Sequence, residues 1–418
     1  MRCARSIPLL TSVALVACHG GTADVGDATP DASVCPAGWL CFAQPLYKAR
    51  VGVWYTNIWH GSSVAKPPGE VFNWNVSRYQ PAAGFYESDD TVSLTTHLDE
   101  MNAAGIDFMI LDGTNGFTST LAYNTDVLIH TELGRPAAKR VPLAFALGAN
   151  LWAAPADSPT AVANHQHEVD MTFADFYSNE TPTFRYATAL NQHPGTEPIA
   201  NAFYRWQSKP LVVVYNSFAA GGNGLTWTDP RLSVRNSTGV VHPAAPETLQ
   251  YGAHGWWGWV TEYPQLISAE EIGVTPGADN THRGCSGCDY HLDRENGALL
   301  EREWLRAISA NPDAIVLAAW NDFVDETAIE PASPTPLGGA PKYTDSYGDE
   351  VPDLYLQIVT AYGNLRVGLM ANVVYRDVDD PTMYRVTAGQ LVVQSAMPHG
   401  QPVIELPAAT LAAVRMRH

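Results

Sequence analysis

The feature that most constrains this chain is a recurrence of short, near-continuously apolar runs separated by longer stretches with helical spacing. The first four runs are Val51–Tyr55, Ile106–Leu111, Val141–Leu147 and Leu211–Tyr215. The next four are Thr238–Val241, Trp256–Val260, Glu271–Thr275 and Ala314–Trp320. A strand with one wet face alternates apolar and polar residues. A strand buried on both faces does not, and that is the pattern of parallel strands covered by helices. Between the first two runs, Val92, Leu94, Leu98 and Met101 predict a helix over Thr91–Ala104. Between the last two, Leu299, Leu300, Trp304 and Ile308 predict another over Asn296–Ala310. Eight such runs alternating with helices predict an α/β fold, a (β/α)8 barrel of the TIM type. The alternative is an open doubly wound sheet, but no glycine-rich phosphate loop follows any run.

The barrel occupies residues 45–365. Ahead of it, Arg2 and Arg5 precede the apolar stretch Ile7 to Val16, which ends in Leu15-Val16-Ala17-Cys18. That is the layout of an export signal, residues 1–18. Its end resembles a lipobox, which would make Cys18 the lipidated first residue of the mature chain. The alternative is a plain secretory signal. Residues 19–44 are small and acidic at their start and predict a flexible spacer. After residue 366 the pattern turns to short strands, Val373–Tyr375, Met383–Val386, Gln390–Gln394 and Pro402–Leu406, a small β-rich C-terminal module, packed on the barrel or free.

The expected location is outside the cytoplasm, with membrane contact only through the lipid, since no later apolar run is long enough to span a bilayer. In that oxidising setting, Cys35 with Cys41 and Cys285 with Cys288 are expected to form local disulfides. His282, Cys285, Cys288 and His291 also have the spacing of a zinc site, which stays open as an alternative. With 43 acidic against 24 basic residues and a net charge of −19, the chain repels phosphate backbones, so no nucleic-acid partner is expected. No cofactor is implied, and a monomer is expected.

In a barrel of this type the site forms where strands end at their C-terminal face. The first run delivers Trp54, Tyr55, Asn57, Trp59 and His60 there, and the second Asp112, Thr114 and Asn115. Later runs deliver Asn150, Trp152, Asn216, Glu262, Asp279, Asn280 and Arg283, then Trp320, Asn321, Asp322, Asp325 and Glu326. Carboxylates, amides and aromatics together suit a sugar: rings stack on its C–H face and polar groups bind its hydroxyls. Glycoside hydrolysis needs two carboxyl groups with different proton affinities. If the chain turns helically after Trp320, Asp322 and Asp325 share a face, and crowding raises the pKa of one of them. A solvated acidic turn would look the same.

The order of segments resembles glycoside hydrolase family 99 and its relatives, the WbsX-like and family 71-like barrels. The resemblance runs over roughly residues 50–363. It is carried by Gly52-Val53-Trp54-Tyr55 with Trp59-His60, by Gly105-Ile106-Asp107-Phe108 through Leu111-Asp112 to Asn115-Gly116, and by Lys209-Pro210 with Tyr215. Further on it is carried by Pro276 to Arg283, by Trp320 to Pro331, and by Tyr347-Gly348. The resemblance implies a retaining, endo-acting glycosidase in which the substrate's own 2-hydroxyl assists. It places the base at Asp322 and the acid at Asp325, with Trp320 and Asn321 in the floor. Two departures stand out: both family glutamates are aspartates here, and Glu326 replaces a glycine. Glu326 or Glu262 is therefore an alternative partner. The expectation is a glycoside hydrolase acting on a polysaccharide, against a non-catalytic carbohydrate-binding lipoprotein or an adhesive protein of the same fold.

Overall fold

A computed structural model describes residues 35–60, 72–74, 77–148, 159–192, 195–216, 228–238, 270–283, 291–337, 340–396 and 398–415. Five strands come first: β1 (Arg50–Tyr55), β2 (Phe108–Gly113), β3 (Leu143–Leu147), β4 (Lys209–Asn216) and β5 (Ser233–Thr238). Two follow, β6 (Glu271–Val274) and β7 (Ala314–Leu317). All seven are parallel, in the order β6–β7–β1–β2–β3–β4–β5. The last strand thus pairs with the first, and the rest follow chain order. That cyclic order belongs to a barrel, whereas a doubly wound sheet reverses direction from a central strand. The candidate strand Trp256–Val260 lies outside the described residues. Of the run expected at Thr238–Val241 only Thr238 is described, and it ends β5, which begins at Ser233 and carries the polar sequence SVRNST. Its polarity is why an apolar-run criterion missed it.

Helices α1 (Thr91–Ala103), α2 (Ser119–Leu133), α3 (Pro159–Thr172), α4 (Ala298–Ala310) and α5 (Leu354–Gly363) follow or separate the strands. Asp90 starts α1 by accepting from the N–H groups of Val92 and Ser93. Leu94, Leu98 and Met101 then turn inward as expected, but Val92 is 72% exposed because it falls in the first turn, off the apolar stripe. No helix among the described residues is long and apolar enough to cross a membrane.

The sheet separates two apolar clusters. On its helix side, Val51, Val53, Tyr55, Met109 and Leu111 pack with Leu94, Leu98 and Met101. On its other side, Trp54, Phe108, Ile110, Ala144, Ala146, Leu211, Val213, Ala314 and Val316 fill the interior. Successive strand residues alternate between the two, as the pleat requires. Gly52 is needed here because a Cβ would sit 2.4 Å from the Phe108 ring.

The segment ahead of β1 meets the segment after α5. Leu40–Cys41 pairs antiparallel with Gly368–Leu369, and Cys35 and Cys41 form a disulfide. The expected spacer over 19–44 is therefore too long: the folded body already includes residues 35–44. Strands β8 (Val374–Asp377), β9 (Tyr384–Thr387), β10 (Gln390–Val393) and β11 (Val403–Leu406) form a four-stranded sheet, followed by the short helix α6 (Thr410–Arg415). It packs on the helical layer: Ile404 and Leu406 join the same core, and Tyr362 donates to the Glu405 carbonyl at 2.7 Å.

Candidate functional site

β7 is followed by the cis peptide Ala318–Ala319, which leads into the turn from Trp320 to Glu330. The expected helical turn is corrected. Residues 323–326 form tight turns, with Asp322 Oδ1 accepting the N–H groups of Val324 and Asp325 at 3.0 Å each. An aspartate that bonds the backbone two and three residues on competes with helix and builds a turn instead. Thr327 N–H closes it by donating to the Asp322 carbonyl at 3.0 Å. Asp322 is buried and serves the turn, while Asp325 is half-buried beyond it.

Glu326 adopts φ +54°, the left-handed region. The residue is 3% exposed, and its carboxylate meets Arg78 side-on, Nε to Oε1 at 2.5 Å and Nη2 to Oε2 at 2.8 Å. The same Nη2 reaches Asp279 Oδ2 at 2.6 Å. Asp279 in turn donates its N–H to the Asp325 carbonyl at 2.9 Å. Burial would raise the Asp279 carboxyl, but hydrogen bonds from Thr281 and Arg78 outweigh it and hold it at about 2. Burial also raises the Glu326 carboxyl, against the pull of Arg78. Arg78 itself is kept firmly protonated, first by Glu326.

Asp112 lies near the end of β2. Its Oδ1 accepts from Thr114 N–H at 3.0 Å and Thr114 Oγ1 at 2.6 Å. Burial raises the Asp112 carboxyl, the Thr114 bonds oppose this, and the charge of Asp325 raises it further. Asp112 on β2 thus lies within electrostatic reach of Asp325 in the turn after β7, with β1 between the two strands in the sheet. One carboxyl that favours its proton beside another is the arrangement acid–base chemistry uses.

Several expected site residues lie elsewhere. Trp54 fills the barrel interior and Tyr55 points to the helix side, donating to or accepting from His97 Nδ1 at 3.0 Å. Trp59 is fully buried, stacked on Trp74 at 3.9 Å, with its Nε1 donating to the Asn321 carbonyl. Trp320 and Asn321 are fully buried as well. All five of these residues are buried. Behind them Tyr86 donates to Glu330, which also contacts His97 at 3.3 Å. Asn115 is exposed on the loop after β2. His60 lies in a short strand paired with Phe72–Asn73, Asn216 ends β4, and Arg283 ends a single helical turn after Asp279. Glu262, Asn150, Trp152, Cys18, Cys285 and Cys288 lie outside the described residues.

Of the zinc alternative only His282 and His291 are described, since Cys285 and Cys288 lie outside the described residues. His282 Nδ1 is 3.6 Å from Glu326, and His291 Nδ1 is 3.5 Å from Asp279. No group of His, Cys, Asp and Glu among the described residues could hold a metal ion. Arg78 is the residue sequence reasoning missed. It lies between the first strand and first helix in no motif or period, and its neighbour Ser77 also ties the segment to the turn, donating to the Phe323 carbonyl at 3.2 Å.

No protein-family model matches the chain, and no curated protein matches it. Among solved structures, it is similar to a GH99 endo-α-mannosidase from Bacteroides thetaiotaomicron in complex with bis-tris-propane. The identity is 19% and the TM-score 0.45, over 76% of this chain and 97% of that one. A second structure of the GH99 endo-α-mannosidase from the same organism has 17% identity and a TM-score of 0.47, over 76% and 97%. A glycoside hydrolase-like protein has 16% identity and a TM-score of 0.46, over 79% of this chain and 96% of that one.

Proposed function

We propose that this protein is a glycoside hydrolase, an endo-acting and retaining enzyme for a polysaccharide, built on a closed (β/α)8 barrel. The observation that carries the reading is Asp112 coupled to Asp325 at the C-terminal edge of the sheet. Asp112 holds a proton more tightly than an ordinary carboxyl, through burial and then the neighbouring charge. It is the general acid that protonates the leaving oxygen. Asp325 is its partner in the reaction, acting on the substrate's 2-hydroxyl or on the sugar itself. Asp322 shapes the turn that presents Asp325. The motif order from Gly52 to Pro331 supports the same reading.

The test is digestion of α-mannans, α-glucans and bacterial capsular glycans by the purified protein, beside Asp112→Asn and Asp325→Asn. Loss of one proton-transfer group removes about 10²–10⁴-fold of rate, so both variants should release almost no oligosaccharide. Glycan binding without release by the wild type on any substrate would instead make the barrel a binder.

The chain is further read as an exported lipoprotein, tethered through Cys18 and monomeric. Metabolic labelling with a palmitate analogue checks the tether: the label should appear on the wild type and vanish in Cys18→Ala. A labelled Cys18→Ala protein would refute it.

A further inference from the structure

We propose that Arg78 and Glu326 form a positioning latch that fixes the turn bearing Asp325 to the two loops beside it. The latch joins three segments that are far apart in the chain. Arg78 comes from the connection between β1 and α1, Asp279 from the strand after β6, and Glu326 from the turn after β7. One planar guanidinium spans both carboxylates, two bonds to Glu326 and one to Asp279. A lysine could not, because its single ammonium lacks the fork that meets a carboxylate side-on.

Two further contacts show that the latch acts on the turn as a unit. Ser77, next to Arg78, donates to the Phe323 carbonyl at 3.2 Å. Arg294, stacked over Tyr343 and Tyr355, donates to the carbonyls of Glu326 and Ala328. One arginine therefore holds the side chain of Glu326 and the other its backbone. This grip matters because Glu326 is held at φ +54°, a conformation that L-residues leave unless the surroundings impose it. The backbone conformation at Glu326 also aims its neighbour Asp325, whose carbonyl is fastened to Asp279 N–H. Arg78 touches no reacting atom in this account. It acts through Glu326 and Asp279 on the placement of Asp325.

What the latch positions rests on the glycosidase reading; that it holds the turn does not. Four proteins separate the two: wild type, Arg78→Met, Glu326→Gly and the double variant, with Arg78→Lys as a fifth. Glycine accepts the left-handed backbone, so Glu326→Gly should fold. Misplacing a catalytic group by an ångström costs on the order of 100-fold. Accordingly, kcat of Glu326→Gly should fall by about that much with KM little changed, and Arg78→Met in that background should add less than about twofold. Arg78→Lys should recover only part of the loss. Hydrogen exchange of the amides over 322–327 should quicken in both single variants. Wild-type kcat in Glu326→Gly, or additive losses in the double variant, would overturn the latch. If the wild type cleaves no glycan, the glycosidase reading fails by itself, and the exchange measurement decides the latch alone: unchanged protection over 322–327 refutes it.

Discussion

The Asn321 side chain lies against the Thr56 backbone as a strand would. Its Oδ1 accepts from Thr56 N–H at 2.8 Å, and its Nδ2 donates to the Thr56 carbonyl at 3.0 Å. The amide thereby extends the pairing of β7 with β1 past the ends of both strands, and Nδ2 also reaches the Tyr86 hydroxyl at 3.1 Å. Everything here is buried. Asn321→Ala would strand both backbone groups of Thr56, at about 1–3 kcal/mol for each buried unpaired group. Asn321→Asp should be no better, since a carboxylate cannot donate to the Thr56 carbonyl. Urea denaturation should give a lower midpoint for both; a midpoint equal to wild type would show that Asn321 is no strut.

The Thr114 hydroxyl bonds Asp112 and lowers the proton affinity that burial raises. Removing the hydroxyl in Thr114→Val therefore raises the Asp112 pKa further. An acid must be protonated to work, so activity falls as pH rises through that pKa. The alkaline limb of the kcat/KM profile should move to higher pH in Thr114→Val. Movement to lower pH, or no movement, would take the acid role away from Asp112.

Glu303 on α4 is buried, and its carboxylate accepts from Thr275 N–H at 2.6 Å at the end of β6. Burial pushes its pKa to about 8, the Thr275 bond and two arginines notwithstanding. The folded state therefore holds the proton after the unfolded chain has released it. The resulting stability is full below the ordinary carboxyl range, near 4.5, and is lost as pH rises toward 8. Glu303→Gln keeps an acceptor for Thr275 and cannot ionise. Its Tm should exceed the wild-type Tm at pH 8, with the advantage shrinking as pH falls to 5. At about 1.4 kcal/mol per pKa unit the ceiling is a few kcal/mol. A constant difference across that range would contradict the buried-proton account.

Legibility follows from which physical signal each part of the molecule carries. The strands β1 to β4, β6 and β7 were readable because burial on both faces leaves an unbroken apolar run. β5 was not, since Ser233, Arg235 and Asn236 give no such run. In the site, the strand period decided what could be read. Trp54 and Tyr55 are adjacent in sequence, and a tally of residues near the strand end brought both to the mouth. The pleat sends one to the interior and the other to α1. The carboxylates of the final turn were legible as a cluster, because Asp322, Asp325 and Glu326 are close in sequence. Their division of labour was not. The Asx bonds of Asp322 and the grip of Arg78 on Glu326 are contacts made through local backbone geometry and a chain separation of 248 residues.

The Cys35–Cys41 disulfide closes a short loop at the edge of the body, beside the Leu40–Cys41 pairing with Gly368–Leu369. Loop-closure entropy for so few residues is worth about 2 kcal/mol. Replacing both cysteines by serine should lower Tm by several degrees and leave kcat unchanged, since the loop is far in the chain from the carboxylates. An equal Tm in the two proteins would mean that the strand pairing alone holds this end.

Gly105 and Gly363 are where α1 and α5 end against each other, and each needs to be glycine for a different reason. Gly105 has φ +73°, and a Cβ there would lie 2.9 Å from the Gly363 carbonyl carbon. Gly363 has an ordinary helical backbone, but its Cβ would lie 2.1 Å from the Ala104 carbonyl oxygen. Around this contact Tyr47 donates to the carbonyls of Tyr362 and Gly363, and Arg366 donates to the Gly105 carbonyl at 2.6 Å while also pairing with Asp107. The neighbours are backbone and cannot yield as a side chain tip would. Gly363→Ala should therefore destabilise by about 1–3 kcal/mol or more through overpacking. Gly105→Ala adds the cost of a left-handed L-residue, roughly 1–2 kcal/mol. Because both relieve or create the same contact, the double variant should cost less than the sum of the two. Urea midpoints of the three proteins measure this. Strict additivity would mean that the two glycines do not share a contact, and a wild-type midpoint for Gly363→Ala would mean that α1 and α5 can part without loss.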